Sequence, residues 1–381
     1  MNGEEAGRYV ITTLEAAGYS AYLVGGAVRD YCRGVINRDI DVATSANVED
    51  IQTLFTKTID VGIKHGTLVI PIMGIPVEVS TFKGQTIEED LSKRDFTINA
   101  MAIGKDGHLI DPFGGQQDVS KSVLRTIHNS DRPFIEDPLR LLRALRFALK
   151  FNLIIDHTTQ THINHHAKLI HNTAVERIAN EIEKMTKPVM LRRDWKRLFS
   201  QPLIAELPFV FSDEQLSNIL LKNYKEATLF NSPLAWWVYV LYQPSHDKTR
   251  DALNFYKRSK ELSKNVLMIQ QSVNDYFEHG WQDWDVYRLG EERLHIAMSL
   301  LNDLTKGKFN ATFWQRKFIM LPIKKKEDMH INGKIILSHY TDLPGWELGR
   351  VLDQLERDVV AGVLKNHEKA LLVRVEEVLN K

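Results

Sequence analysis

The chain is nearly without cysteine: Cys32 is the only one in 381 residues. That excludes a disulfide framework and a cysteine-rich zinc site, and it suits a reducing compartment. Long apolar runs are also missing. No stretch approaches the roughly 20 residues that a membrane-spanning helix needs. The opening "MNGEEAGRYVITTLEAAGYS" is acidic and amphipathic, without the basic and apolar regions of a signal peptide. A cytoplasmic protein with no membrane partner is expected. Net charge is absent too, at +0, but residues 1–120 hold 10 Lys+Arg against 17 Asp+Glu while the remainder holds 39 against 32. An acidic front suits a metal site and a basic remainder suits a polyanion. With 43% hydrophobic and 26% charged residues, the composition is that of an ordinary globular protein, too long for a single core.

The texture changes near residue 120. Before it come short β-rich runs broken by Gly and Pro, such as "AYLVGGAV", "GTLVIPIMGIPVEVSTF" and "AMAIGKDGHLIDPFGG". After it come long stretches of helical periodicity, among them "DPLRLLRALRFALKF", "TAVERIANEIEKM" and "PGWELGRVLDQLERDVVAGVL". Breakers such as "TKPVM", "FNSPLAW" and "YQPSHD" divide the second part. No repeat of fixed period is present. The pattern predicts an α+β head followed by an all-helical remainder.

Within the head, "NRDIDVATSA" puts Asp39 and Asp41 two positions apart in a strand-like run. Alternation sends both to one face, where each disfavours ionisation of the other unless a cation lies between them. Just upstream, "LVGGAVRDY" predicts a strand ending at Val24, a Gly25-Gly26 turn and a helix from about Ala27. Glycine allows close backbone approach, a helix N-terminus offers N–H groups to an anion, and Arg29 could add a charged fork. A phosphate cradle followed by paired aspartates suggests Mg²⁺ held against a triphosphate. Glu78, in "GIPVEVSTF", is the acid of a neighbouring strand-like run and a candidate third ligand.

These residues carry a resemblance. GG-x-V-R-D followed by D-x-D resembles the polymerase β-type nucleotidyltransferase core. "KRDFTINAMA" (93–102), "IDPFGGQQDV" (110–119), "EDPLRLLRALRF" (136–147) and "TAVERIANEIEKM" (173–185) resemble, in order, further motifs of the class II tRNA nucleotidyltransferases, the CCA-adding enzymes. The tail 331–366 is similar to the C-terminal part of the bacillus-type enzymes. The resemblance implies a nucleotidyltransferase head over 1–121, a helical neck over 122–188, a helical body over 189–265 and a helical tail over 266–381 that binds tRNA. It implies that Asp39 and Asp41 are catalytic and hold Mg²⁺ and that Gly26 and Arg29 steady phosphates. Arg94 would reach the triphosphate or sugar, Asp95 would accept from the ribose 2′-hydroxyl, and Asn99 would hold the local turn.

Asp137 and Arg140 stand three apart at a helix start and would read the base. Asp accepts and Arg donates, a pattern that fits cytosine and adenine and mismatches uracil and guanine. Arg143 and Arg146 continue the stripe toward phosphate. The implied activity is untemplated nucleotide addition to the tRNA 3′ end, with the acceptor arm gripped by the basic helical part. One departure is informative. Enzymes that add the whole CCA carry a flexible, polar loop between "VEVSTF" and "EEDL", which is thought to help switch the pocket from C to A. Here only "KGQTI" stands between them. The resemblance is therefore to the CC-adding branch, using CTP and leaving the last A to a separate A-adding enzyme. The alternatives are a full CCA-adding enzyme, which also uses ATP, or a poly(A) polymerase.

Other clusters have plainer readings. His162, His165 and His166 lack an accompanying carboxylate or cysteine and read as a solvated helix face. His246-Asp247 reads as a loop, "LAWWVYVLY" (234–242) as a core helix, and "IKKKED" (323–328) as a solvated charge run.

Overall fold

The computed structural model describes residues 2–35, 40–62, 66–186, 198, 201–209, 232–242 and 246–380. Two compact units emerge: Met1–Met185 with Arg197–Leu207, and Thr186–Lys196 with Pro208–Lys381. No helix among the described residues is long and apolar enough to cross a membrane.

The first unit is organised by a seven-stranded mixed sheet in the order β3-β4-β5-β2-β1-β6-β7. Its strands are β1 (Ala21–Val24), β2 (Ile40–Thr44), β3 (Ile59–Gly62), β4 (Thr67–Ile72), β5 (Ile75–Thr81), β6 (Ala102–Ile103) and β7 (Leu109–Ile110). Helices α1 (Gly3–Ala16) and α3 (Val48–Leu54) each begin with a capping box, Asn2 with Glu5 and Asn47 with Asp50. They cover one face, where Val10, Ile11, Leu14 and Ile51 pack on Ile40, Val42, Val77 and Val79. On the opposite face Ala43 and Val24 pack with Ile87 and Leu91 of α4 (Ile87–Ser92). β2 pairs parallel to β5, and the register sets Asp41 directly opposite Glu78. Cross-strand partners share a face, so alternation puts both acids away from the α1/α3 core.

Beyond the sheet the first unit is helical: α5 (Gly115–Ser120), α6 (Arg132–Glu136), α7 (Leu139–Lys150), α8 (His157–His166) and α9 (Val175–Met185). Among the described residues after 120, one place departs from all-helical. Val123–Leu124 (β8) and Ile154–Ile155 (β9) form a short parallel pair, and Phe96 bridges to Thr126. Two residues per strand are too few for alternation to show in the sequence. Phe96 is fully buried and links head to neck, edge-on to Phe147 at 5.8 Å and tilted toward Phe134 at 6.5 Å.

The second unit is helical throughout its described residues, with Pro233–Val240, His246–Phe255, Lys260–His279, Asp283–Leu304, Ala311–Met320, Gly333–His339, Gly345–Val360 and Glu368–Leu379. Residues 234–242 are the core segment expected: Trp236, Trp237 and Tyr239 are at most 1% exposed. His246-Asp247 are not in a loop. They open a helix, because the Pro-Ser pair just ahead is itself a helix-start signal. His166 is half-buried and its Nε2 lies 2.9 Å from Asp131, and no group of three metal-ligating side chains is present among the described residues.

Replacing Phe96 by Ala is expected to lower the stability of the first unit by about 3–5 kcal/mol. Far-ultraviolet circular dichroism in a urea titration would read it. Every tryptophan lies at residue 195 or later, so tryptophan fluorescence reports the second unit. The dichroism transition is expected to move further than the fluorescence transition.

Candidate active site

β1 ends at Val24, and Gly25 turns the chain into α2 (Gly26–Cys32) with φ 64° and ψ −129°. That left-handed backbone favours glycine. Space is tight as well: a Cβ on Gly25 would lie 3.1 Å from Asp41 Oδ2 and 3.2 Å from Arg94 Nη1. The glycine turn, the strand carboxylate and the arginine of "KRDF" therefore meet at one point, and Gly26 starts the helix beside them. Asp41 is half-buried and Glu78 is exposed. Asp39 lies outside the described residues. Arg94 keeps its Nε and Nη2 on Asp90 Oδ2, at 3.1 and 2.9 Å.

Asp95 is 5% exposed and saturated. Its Oδ1 accepts from the Phe96 backbone N–H at 2.9 Å and from Asn99 Nδ2 at 3.0 Å. Its Oδ2 accepts from Arg143 Nε at 2.9 Å and Nη2 at 2.6 Å. A carboxylate has about four acceptor positions, and all are taken. In this arrangement Asp95 is committed to those donors and fastens the head to α7. Burial alone would raise its pKa. The Arg143 charge, hydrogen bonds from Asn99 and Arg143, and the Arg140 charge outweigh it and bring the pKa to about 2. Asp95 in turn holds the Arg143 guanidinium above its ordinary value. Asn99 does hold the turn, as expected.

Two arginines expected on phosphate are engaged elsewhere. Arg29 is buried: Nε donates to Asp30 at 3.0 Å, Nη1 donates to Asn99 Oδ1 at 2.8 Å, and the guanidinium lies 4.2 Å from the Phe151 ring centre. Arg146 is buried against Glu181 of α9 and lies 4.2 Å from the Phe147 ring centre. Both brace the frame. Arg143, the third expected on phosphate, is the partner of Asp95.

Asp137 and Arg140, the pair expected to read the base, stand at the start of α7, each with its own support. Asp137 sits between α6 and α7, where its Oδ1 accepts from Leu139 N at 3.3 Å and its Oδ2 from Arg177 Nη2 at 2.9 Å. Arg140 donates from Nη2 to the Lys93 carbonyl at 3.0 Å and from Nη1 to the Pro133 carbonyl at 3.4 Å, with Glu136 Oε2 at 3.6 Å. Neither residue is the other's ion-pair partner among these contacts. Arg177 was not singled out from the sequence. The motif "TAVERIANEIEKM" contains a single arginine, Arg177, and that is the signal that points to it.

The motif 110–119 supplies a rigid corner. Asp111 accepts from Gly115 N at 2.7 Å and Gln116 N at 2.9 Å, capping α5. A Cβ on Gly115 would meet the Thr97 carbonyl at 2.3 Å, so only glycine fits there.

Residues 21–125 match the poly A polymerase head domain family, and residues 229–375 match the family described as tRNA nucleotidyltransferase domain 2. The CCA-adding enzyme of Latilactobacillus sakei is 33% identical over 381 residues, covering 95% of each chain. That of Bacillus cytotoxicus is 30% identical, covering 97% of each. The chain belongs to the CCA-adding tRNA nucleotidyltransferase family. The structure of the Bacillus stearothermophilus CCA-adding enzyme in complex with CTP matches all of this chain and 98% of that one, at 30% identity and a TM-score of 0.79. A Thermotoga maritima CCA-adding enzyme complexed with tRNA shares the fold, with a TM-score of 0.65 at 23% identity. This nucleotidyltransferase thus has the α+β head and helical remainder that its motifs implied.

The Asp95 pKa shift has a direct consequence. Its folded pKa is depressed, so its contribution to stability is present above the ordinary carboxylate range and is lost as pH falls toward about 2. The contribution is on the order of 2–3 kcal/mol. Between pH 5 and pH 3, the wild-type unfolding free energy is expected to fall more steeply than that of Asp95→Asn. Equal slopes would show that Asp95 is not the group responsible.

Proposed function

We propose that this family member adds CMP residues, untemplated, from CTP to the 3′ end of tRNA and stops after two, leaving the final A to a separate A-adding enzyme. The observation that supports the stop is the link between β5 and α4. It has five residues, Phe82–Thr86, and is tied down: Phe82 N donates to Thr44 O at 2.8 Å, Lys83 N to Asp90 Oδ1 at 3.0 Å and Gln85 N to Glu89 Oε2 at 2.8 Å. A link so short and so bound offers no lever to move the base-reading pair from one base to the other. The match to the Limosilactobacillus reuteri CCA-adding enzyme runs over 395 positions yet uses 98% of this chain's 381 residues. That relative therefore carries residues in the matched span that this chain lacks. A second reading, addition of the full CCA from CTP and ATP, is favoured by the naming of relatives at 30–33% identity as CCA-adding enzymes.

In the reaction the tRNA 3′-hydroxyl gives up its proton, its oxygen bonds to the α-phosphorus of CTP, and the bond to pyrophosphate breaks. Asp41 and Glu78 offer only carboxylate oxygens, the donor chemistry that suits Mg²⁺ rather than a softer ion. Asp39 and Asp41 would hold Mg²⁺, with Glu78 alongside. Bound there, the ion would neutralise phosphate charge and ease loss of the hydroxyl proton. The Gly25–Gly26 turn lets the triphosphate approach the backbone, and Arg94, beside that turn, meets it there. Asp137 accepts from the cytosine amino group while Arg140 donates to its ring acceptors. Arg177 holds the Asp137 carboxylate for that contact. The basic helical residues, with the tail 266–381 foremost, grip the acceptor arm through backbone and shape, since side chains read A-form grooves poorly.

The deciding assay supplies a tRNA lacking its tail with CTP, ATP or both. Two CMP additions and very slow AMP addition are expected. Efficient completion of CCA replaces this reading with the second one. Asp41→Ala is expected to abolish addition while tRNA binding by gel shift stays near wild type. Arg177→Ala is expected to lower discrimination between CTP and UTP by about tenfold, the scale of one lost charged hydrogen bond. Unchanged discrimination would remove Arg177 from the base-reading apparatus.

A further inference from the structure

Lys93 occupies an unusual junction. It caps the C-terminal end of α4, and its side chain folds back so that Nζ donates to the Lys83 carbonyl in the short link. Its own carbonyl accepts from Arg140 Nη2 at 3.0 Å. One residue therefore joins the link before α4 to the arginine that would read the base on α7. The segment between is closed on itself. Asp90, 2% exposed, accepts from Lys83 N through Oδ1 and from Arg94 through Oδ2. Thr86 Oγ1 accepts from Glu89 N at 3.3 Å. A Cβ on Gly84 would lie 2.5 Å from Glu89 Oε2, so the link lies directly against the helix.

We propose that Lys93 is a positioning residue that sets nucleotide choice: its ammonium clamps the link, and the clamp fixes the carbonyl that holds Arg140 in its cytosine-reading place. Lys83 is held at its N–H by Asp90 and at its carbonyl by the Lys93 ammonium, while the Lys93 backbone carbonyl holds Arg140. Adenine offers its amino group and ring acceptor on a larger, two-ring base, so reading it requires the arginine to move relative to Asp137. The clamp opposes that movement. The inference rests on the CC-adding reading and supplies a physical cause for it. Lys93 is exposed, so replacing its side chain leaves the core of the head intact.

The test measures kcat/KM for CMP addition to tailless tRNA and for AMP addition to tRNA ending in CC, using the full chain. Lys93→Met keeps the side-chain bulk and removes the donor. It is expected to keep CMP addition within a few-fold and to raise the AMP-to-CMP ratio about tenfold, the scale of one charged hydrogen bond. Lys93→Arg, which can still donate to the Lys83 carbonyl, is expected to return the ratio to the wild-type value. A ratio unchanged in Lys93→Met, or raised equally in both variants, overturns the proposal. Rates that fall together for both nucleotides would assign Lys93 a purely structural role and overturn it as well. The wild-type ratio alone judges the CC-adding reading, and the change between variant and wild type judges the clamp, so the two fail separately.

Discussion

Asp95 is almost wholly buried, and a carboxylate in that position persists only while Arg143 stays beside it. Removing an ionised group from water costs several kcal/mol, which is recovered only when good geometry and further hydrogen bonds complete the pair. Here both conditions hold: two contacts from Arg143 and two from the Phe96 and Asn99 amides fill the acceptor positions. The partners come from different parts of the first unit, since Asp95 follows α4 in the head and Arg143 lies on α7 in the neck. Breaking the pair would strand a charge in the interior, so the register of head on neck is held within narrow limits. Everything that depends on the spacing between the strand carboxylates and the base-reading helix inherits those limits.

A layer of aromatic rings and arginines extends this joint. Arg29 reaches Asn99, which itself donates to Asp95, and Arg29 rests on Phe151. Phe147 stacks on Phe151 at 5.9 Å and receives Arg146 on its face. Guanidinium groups suit this position because they are weakly hydrated and planar, so they stack on rings and still donate sideways. The first unit thus uses arginine in two ways. Buried arginines cement the joint between head and neck, and Arg94, Arg140 and Arg177 line the rim where a nucleotide would bind.

That division is what the sequence could not display. The glycine turn and the strand acids were legible because their spacing is set by short-range geometry. Gly25 must turn a strand into a helix, and Asp41 must alternate with Ile40 and Val42, which face the core. The arginines of α7 are different. Arg140, Arg143 and Arg146 are spaced by three, which reads as one stripe, yet each step of three turns the helix by about −60°. Over two steps the direction changes by about 120°, enough to carry Arg146 off the rim and onto Glu181. Arg29 was misplaced for a related reason. A first-turn arginine after two glycines looks aimed at a phosphate, and only the positions of Asn99 and Phe151, 70 and 122 residues away, turn it inward. The β8–β9 pair is likewise non-local and too short to leave a pattern.

The site also separates what must stay constant from what can vary. Phosphate chemistry is the same for every nucleotide, and its groups stand on β2 and the Gly25 turn, in the sheet where parallel pairing of β2 with β5 fixes Asp41 against Glu78. Base reading differs between nucleotides, and the groups proposed for it, Asp137, Arg140 and Arg177, stand at the start of α7 and on α9. Residues 93–95 touch both sets: the Lys93 carbonyl on Arg140, the Arg94 guanidinium beside Gly25, and the Asp95 carboxylate on Arg143. Three consecutive residues therefore carry the geometric message from the sheet to the helices. Because this turn directly follows α4, its position is governed by how α4 is tethered to β5. Under the proposed reading, a change in that tether would alter base reading while the strand carboxylates stay in register, so that a single scaffold would keep one chemistry and change its choice of nucleotide.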